Sequence, residues 1–254
     1  MGTSKGTMPP SNGDWSSLKG DLTTLVNNID IPNQEKKQKL TAKVVSDFIT
    51  AIGGADNFAS SSKSRKDGST TIYSSKIGRE TATQFGSFLG SIGIGGIQNS
   101  LNTLKINFND LTIDELHKEL IQVFSVTSNS DDANAANKAM AEVVDELFNE
   151  VDNIEDLETK ILSSLETEDI LCQFYERYIF KRFERNFDEY DIGHYGNDKA
   201  RRILEDVESY IHIKLKTYQC DKKIKDIDFS TSAGEAFIQE QLQNILAFLE
   251  DYDD

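Results

Sequence analysis

The chain has 254 residues, enough for one generous domain or two small ones with a sizeable core. Its 43 acidic residues against 27 basic ones leave a net charge of −16. The charge is unevenly spread: residues 1–100 hold eleven basic and eight acidic side chains, so the whole acidic excess lies behind them. An acidic body repels phosphate, which argues against a nucleic-acid reader built on it. No run of apolar residues is long enough to cross a bilayer, and the first 30 residues lack the charged-then-apolar layout of a signal peptide. The expected location is therefore the cytoplasm, with no membrane attachment. Cys172 and Cys220, 48 positions apart, cannot form a metal knuckle and are expected to be reduced. All three prolines, Pro9, Pro10 and Pro32, fall in the first 32 residues, which leaves the rest free to be helical.

Residues 1–35 read as an extended, flexible lead, because MGTSKGTMPPSNGDWSS is rich in Gly, Ser, Thr and Pro and has no period. Within it Trp15, Leu18, Leu22, Leu25 and Val26 recur at roughly helical spacing, so a short element can form against something that packs on it. Trp15 has two readings there: burial on its own domain, or a partner-binding anchor. Residues 36–254 read as an all-α, bundle-like domain. Leu40, Val44, Val45, Phe48, Ile49 and Ile52 share one helical face, ended by Gly53-Gly54. Residues 56–80 are polar and predict a loop. Phe85, Phe88, Leu89 and Ile92 open another stripe that runs into Gly90, Gly93, Gly95 and Gly96, which predicts a break or a close helix crossing.

Further along, Thr112-Ile-Asp-Glu115 is a capping box. Ala136 to Phe148, Leu157 to Leu165, Ile170 to Tyr190 and Ala200 to Tyr218 then repeat helical spacing, with Asp191-Ile-Gly193 as punctuation. Ser232-Ala-Gly-Glu235 predicts a second capping box. No stretch alternates with a period of two, and no repeat suggests a solenoid.

The candidate chemistry thins out under inspection. GSIGIGGIQNS lacks the third glycine of a dinucleotide fingerprint and the Gly-Lys-Ser/Thr of a phosphate loop, so helix packing explains it better. Cys172 sits in an apolar stripe without a catalytic signature. His117, His194 and His212 are scattered, without metal-ligand spacing. Glu205, Asp206 and Glu208, and the tail from Glu250 to Asp254, read as solvated surface or, for the tail, a docking strip for a basic partner. Lys63, Arg65, Lys66, Lys76 and Arg79 form a basic cluster that reads as a polar loop or as an adaptor for nucleic acid or an acidic protein. No cofactor is implied.

The N-terminus has chemistry of its own. Removal of Met1 exposes Gly2, whose α-amine, with a pKa near 7.7–8.0, is partly neutral and nucleophilic where lysines stay protonated. Position 6 is Gly rather than Ser or Thr, which disfavours myristoylation.

Taken in order, several segments together resemble the QatB family of bacterial Qat anti-phage systems. They are Met1-Gly-Thr-Ser4 with its Gly/Pro/Ser lead, RETATQFGSFLGSIGIGG from Arg79 to Gly96, and Leu101-Asn-Thr-Leu104. Leu111-Thr-Ile-Asp-Glu-Leu116, the alanine-rich Asp132 to Leu147 and Asp191-Ile-Gly193 complete the set. The resemblance implies a non-catalytic defence subunit encoded beside an ATPase, a QueC-like enzyme and a TatD-like nuclease. It further implies that Gly2 is the amine acceptor of a deazaguanine carboxylate activated by the QueC-like partner, with Thr3, Ser4 and Lys5 supplying recognition; Trp15, from its place in the lead, is a further candidate contact. A helical scaffold that joins the ATPase and nuclease without being modified is the competing expectation.

Overall fold

The computed structural model describes residues 13–60, 73–108, 111–167, 169–218 and 227–251. Among them it is all-α, with ten helices. They are α1 (Gly13–Asn27), α2 (Gln34–Ala51), α3 (Gly54–Ser60), α4 (Lys76–Thr103) and α5 (Ile113–Phe124). There follow α6 (Asp131–Phe148), α7 (Ile154–Thr167), α8 (Asp169–Tyr195), α9 (Asn197–Lys216) and α10 (Ser232–Glu250). None of these helices is long and apolar enough to cross a membrane.

One contiguous core runs through the helices, from Trp15 and Leu25 in α1 to Leu246 and Leu249 in α10. α6 and α8 pack face to face near its middle, flanked by α4 on one side and α9 on the other. α1 lies along α2, and α10 covers α2, α3 and α4. The helices start where the residues permit. Asn33 caps α2 by accepting from Lys36 N at 3.0 Å, and Ser130 caps α6 by accepting from Ala133 N at 3.1 Å. The Thr112–Glu115 capping box forms in full: Thr112 Oγ1 accepts from Glu115 N and the Glu115 carboxylate accepts from Thr112 N at 2.8 Å. Those bonds hold the Glu115 carboxyl below its usual range.

Four boundaries differ from the sequence reading. Gly13–Asn27, counted with the lead, fold as α1 because Trp15, Leu18, Leu22, Leu25 and Val26 all find cover. The polar stretch from residue 56 contributes α3 and the first turn of α4, since Phe58 and Ala59 are buried. α8 runs through Asp191-Ile-Gly193 and ends before Gly196. No side-chain cap opens α10. Thr231, not Ser232, is its N-cap residue, and the Thr231 hydroxyl donates to Asp228 O at 2.8 Å instead.

The glycine stretch makes the break expected of it. Gly96 takes φ 78° and ψ 164°, which breaks α4 into two segments at a backbone position that side chains resist. The freed amide of Ile97 donates to Glu158 Oε1 of α7 at 2.9 Å, so the second segment is capped by a neighbouring helix. Upstream, Phe229 seats directly on Gly86, where an added Cβ would lie 2.7 Å from its ring.

Candidate functional site

Gly2, Thr3, Ser4 and Lys5 lie outside the described residues, as do Lys63, Arg65, Lys66 and Cys220. The described chain begins at Gly13, the first residue of α1. Trp15, in the first turn of α1, is 4% exposed, and its ring lies 5.6 Å from that of Tyr73 just ahead of α4. It therefore packs on its own domain, which leaves its ring closed to a partner. At the other end of α1, Arg202 of α9 donates to Asp30 Oδ1 at 2.8 Å and to Ile29 O at 3.2 Å. The helix is thus pinned at both ends.

Polar groups rim the α1–α2 seam between these pins. Lys43 of α2 pairs with Asp21 of α1 at 2.6 Å, and Ser17 donates to Asp47 at 3.5 Å. Asp21 and Asp47 face each other across the seam and are electrostatically linked. Partial burial, then the bond and charge of Asp21, push the Asp47 carboxyl up to about 7. Burial also raises Asp21, but its bonds to Asp47 and Lys43 outweigh that and hold it below the usual range.

A second polar constellation lies in the core, where sequence reading saw only helix faces. Asp132, at the start of α6, accepts from Ile77 N at 2.8 Å and Gly78 N at 3.1 Å in the first turn of α4. It also accepts the hydroxyl proton of Tyr178 at 2.7 Å, and Arg182 Nη1 stands 3.9 Å away. Arg182 is 3% exposed and lies 5.3 Å over the ring of Phe58. Gly78 is required, because a Cβ there would fall 2.5 Å from the Tyr178 ring. Burial, above all, raises the Tyr178 hydroxyl well above its ordinary value, so it remains a donor. One carboxylate thus holds the exposed amides of one helix, a tyrosine of another and a buried guanidinium. The available hint was a charge at an inward position: Arg182 stands beside Phe183 in an otherwise aromatic stripe.

Several of the remaining candidates have structural partners. Cys172 is half-buried against the core. His117 bonds Asp145 at 2.7 Å and His212 bonds Glu176 at 2.8 Å, on different helices. Asp206 pairs with Lys37, and Glu205 with Arg201. Among the described residues no group of three or more His, Cys, Asp or Glu could hold a metal ion. Of the basic cluster, Arg79 turns to Gln239 of α10 at 3.0 Å and Lys76 faces Glu80. Glu250, counted with the solvated tail, is instead a clamp: its carboxylate accepts from Thr50 Oγ1 at 3.0 Å and from Ala55 N at 3.3 Å.

No curated protein and no solved structure matches the chain. A family model described as Qat anti-phage system associated protein QatB matches residues 68–249, from just ahead of α4 into the last turn of α10. That span contains Asp132, Tyr178, Arg182 and Gly78, and it excludes α1, α2 and the lead. The helical body that these residues hold together is the body of a Qat anti-phage component, and the chain belongs to the QatB family.

Proposed function

We propose that this anti-phage subunit is non-catalytic and presents its N-terminal glycine to a QueC-like enzyme of the same system. Membership of the QatB family carries the reading. In the reaction envisaged, the partner uses ATP to convert a deazaguanine carboxylate into an acyl adenylate, with release of pyrophosphate. The neutral Gly2 amine attacks the acyl carbon. A C–N bond forms, the C–O bond to AMP breaks, AMP leaves with the electron pair, and the amine gives up a proton. Thr3, Ser4 and Lys5 supply recognition. Trp15, with its ring seated on Tyr73, holds the first turn of α1 on the body.

The test is intact mass after co-expression with the neighbouring QueC-like enzyme. The expected species is the Met-cleaved chain plus one deazaguanine acyl group, lost when one residue is inserted ahead of Gly2. A mass that never exceeds the Met-cleaved chain, while the enzyme acts on another amine, rejects conjugation.

One observation favours a second reading. The family match falls on α4–α10 and not on the lead, as suits a scaffold that joins the ATPase and TatD-like nuclease. Deleting residues 2–12 separates the two: a scaffold keeps its complex and its protection, and a conjugation substrate loses protection.

A further inference from the structure

The solvent face of α1 is composed unlike those of the helices around it. Where a helix faces water, packing does not choose the residue and helix propensity is free to act. After its first residue, the exposed positions of α1 are Ser16, Ser17, Gly20, Thr23, Thr24 and Asn27, all weak helix formers. On α9 the exposed positions include Lys199, Arg201, Glu205, Glu208 and Lys216, which favour helix. Gly20 is the most telling, because nothing lies within 4 Å of where its Cβ would be. No close approach requires the glycine, so its effect is to weaken the helix. Thr23 and Thr24 also turn their hydroxyls back to Lys19 O and Gly20 O, at 2.8 and 3.0 Å, which loosens a helix slightly.

What holds α1 is therefore its apolar face, packed against α2 and α9. Its charged ties, Asp21 to Lys43 and Asp30 to Arg202, are partly wet and contribute little. α2 begins without help from α1, since Asn33, the residue after Pro32, caps it. No described helix precedes α1, so it can leave the body without displacing another. We propose that α1 opens about Pro32 and Asn33 while the other helices stay folded, and that this opening regulates how far Gly2 is presented. The proposal rests on Gly2 being the acceptor. Fully extended, residues 1–12 span at most about 40 Å and residues 1–32 about 110 Å. A docked α1 keeps the glycine near the body, and an open one lets it reach into an enclosed active site.

Hydrogen exchange of the full chain, read by peptide mass, tests the opening. Residues 13–27 should exchange at least about tenfold faster than α6 and α8, as a sub-global opening does. Gly20 has open space around it, so changes there act through the helix alone. Gly20→Ala should slow exchange in residues 13–27 about fivefold, and Gly20→Pro should speed it, with α6 and α8 unaltered in both. Modification of Gly2 by the QueC-like enzyme, followed by intact mass, should shift the same way, slower in Gly20→Ala and faster in Gly20→Pro. Exchange of α1 in step with α6 and α8 overturns the proposal. So does a pair of variants that move the exchange and leave the rate of modification as it was. Absence of modification in every form of the chain counts against the Gly2 reading instead, and exchange alone then decides whether α1 opens.

Discussion

The α4–α6–α8 junction and the α1–α2 seam both rest on large buried side chains, but their polar groups are set up in opposite ways. At the junction Asp132 is 6% exposed and its charge is matched by two helix amides, a tyrosine hydroxyl and Arg182. At the seam Lys43 is 43% exposed, and two carboxylates share it and each other. A buried charge with several partners makes a contact nearly all-or-none, whereas a rim of partly wet charges makes one that conditions can tune. The division follows the family match, which contains the junction and stops short of the seam. The part shared with the family is the part built to be rigid.

Breaking the junction should have the largest effect. Asp132→Ala leaves a buried guanidinium, a tyrosine hydroxyl and two helix amides short of their acceptor, and should cost about 3–5 kcal/mol in a urea melt followed by circular dichroism. Loss of less than about 1 kcal/mol, the scale of an exposed ion pair, would show that the junction is not the centre of stability.

Next comes the seam. Trp15→Ala removes the anchor of α1 and should cost about 3 kcal/mol, at the low end for a buried tryptophan. Its reach should be local: amide exchange should rise in residues 13–27 and stay slow in α6 and α8. If protection falls everywhere at once, the two regions form a single cooperative unit.

The smallest expected effect is that of pH. A carboxyl whose folded pKa lies above its unfolded value binds its proton more tightly in the folded chain. Asp47 therefore supports the seam below the ordinary carboxylate range, and that support fades as pH rises through about 7. Trp15 is the only tryptophan, so its fluorescence reports the seam directly. Its urea midpoint should fall between about pH 5 and about pH 8, and Asp47→Asn should flatten the slope. An identical slope in the variant would remove Asp47 from the explanation.

Much of the fold was legible because its signals are local. The Thr112–Glu115 box and the apolar stripe of α2 depend on residues three and four apart, and both stand in the structure as read. α1 was half legible: Leu18, Leu22 and Leu25 have the right spacing, but the surrounding Gly, Ser and Thr masked a helix whose stability comes from α2 and α9. Ser232-Glu235 has the composition of a cap, yet the loop from Asp228 takes the Thr231 hydroxyl instead. The Asp132 junction was legible only as the inward charge of Arg182, because the partners of Asp132 lie 46 and 54 positions away and only the packed helices bring them together. The Gly2 expectation is of another kind: it rests on amine chemistry and family resemblance, neither of which depends on periodicity.

The Glu250 clamp also sets an order of events during synthesis. Its acceptor atoms serve Thr50 and Ala55, about 200 residues earlier in the chain. At roughly 5–20 residues per second, a ribosome takes on the order of 10–40 s to cover that distance. For most of that interval α2 and α3 are made while the carboxylate that secures them, and the α10 face that covers them, do not yet exist. α2 and α3, made early, are thus among the last helices to be locked.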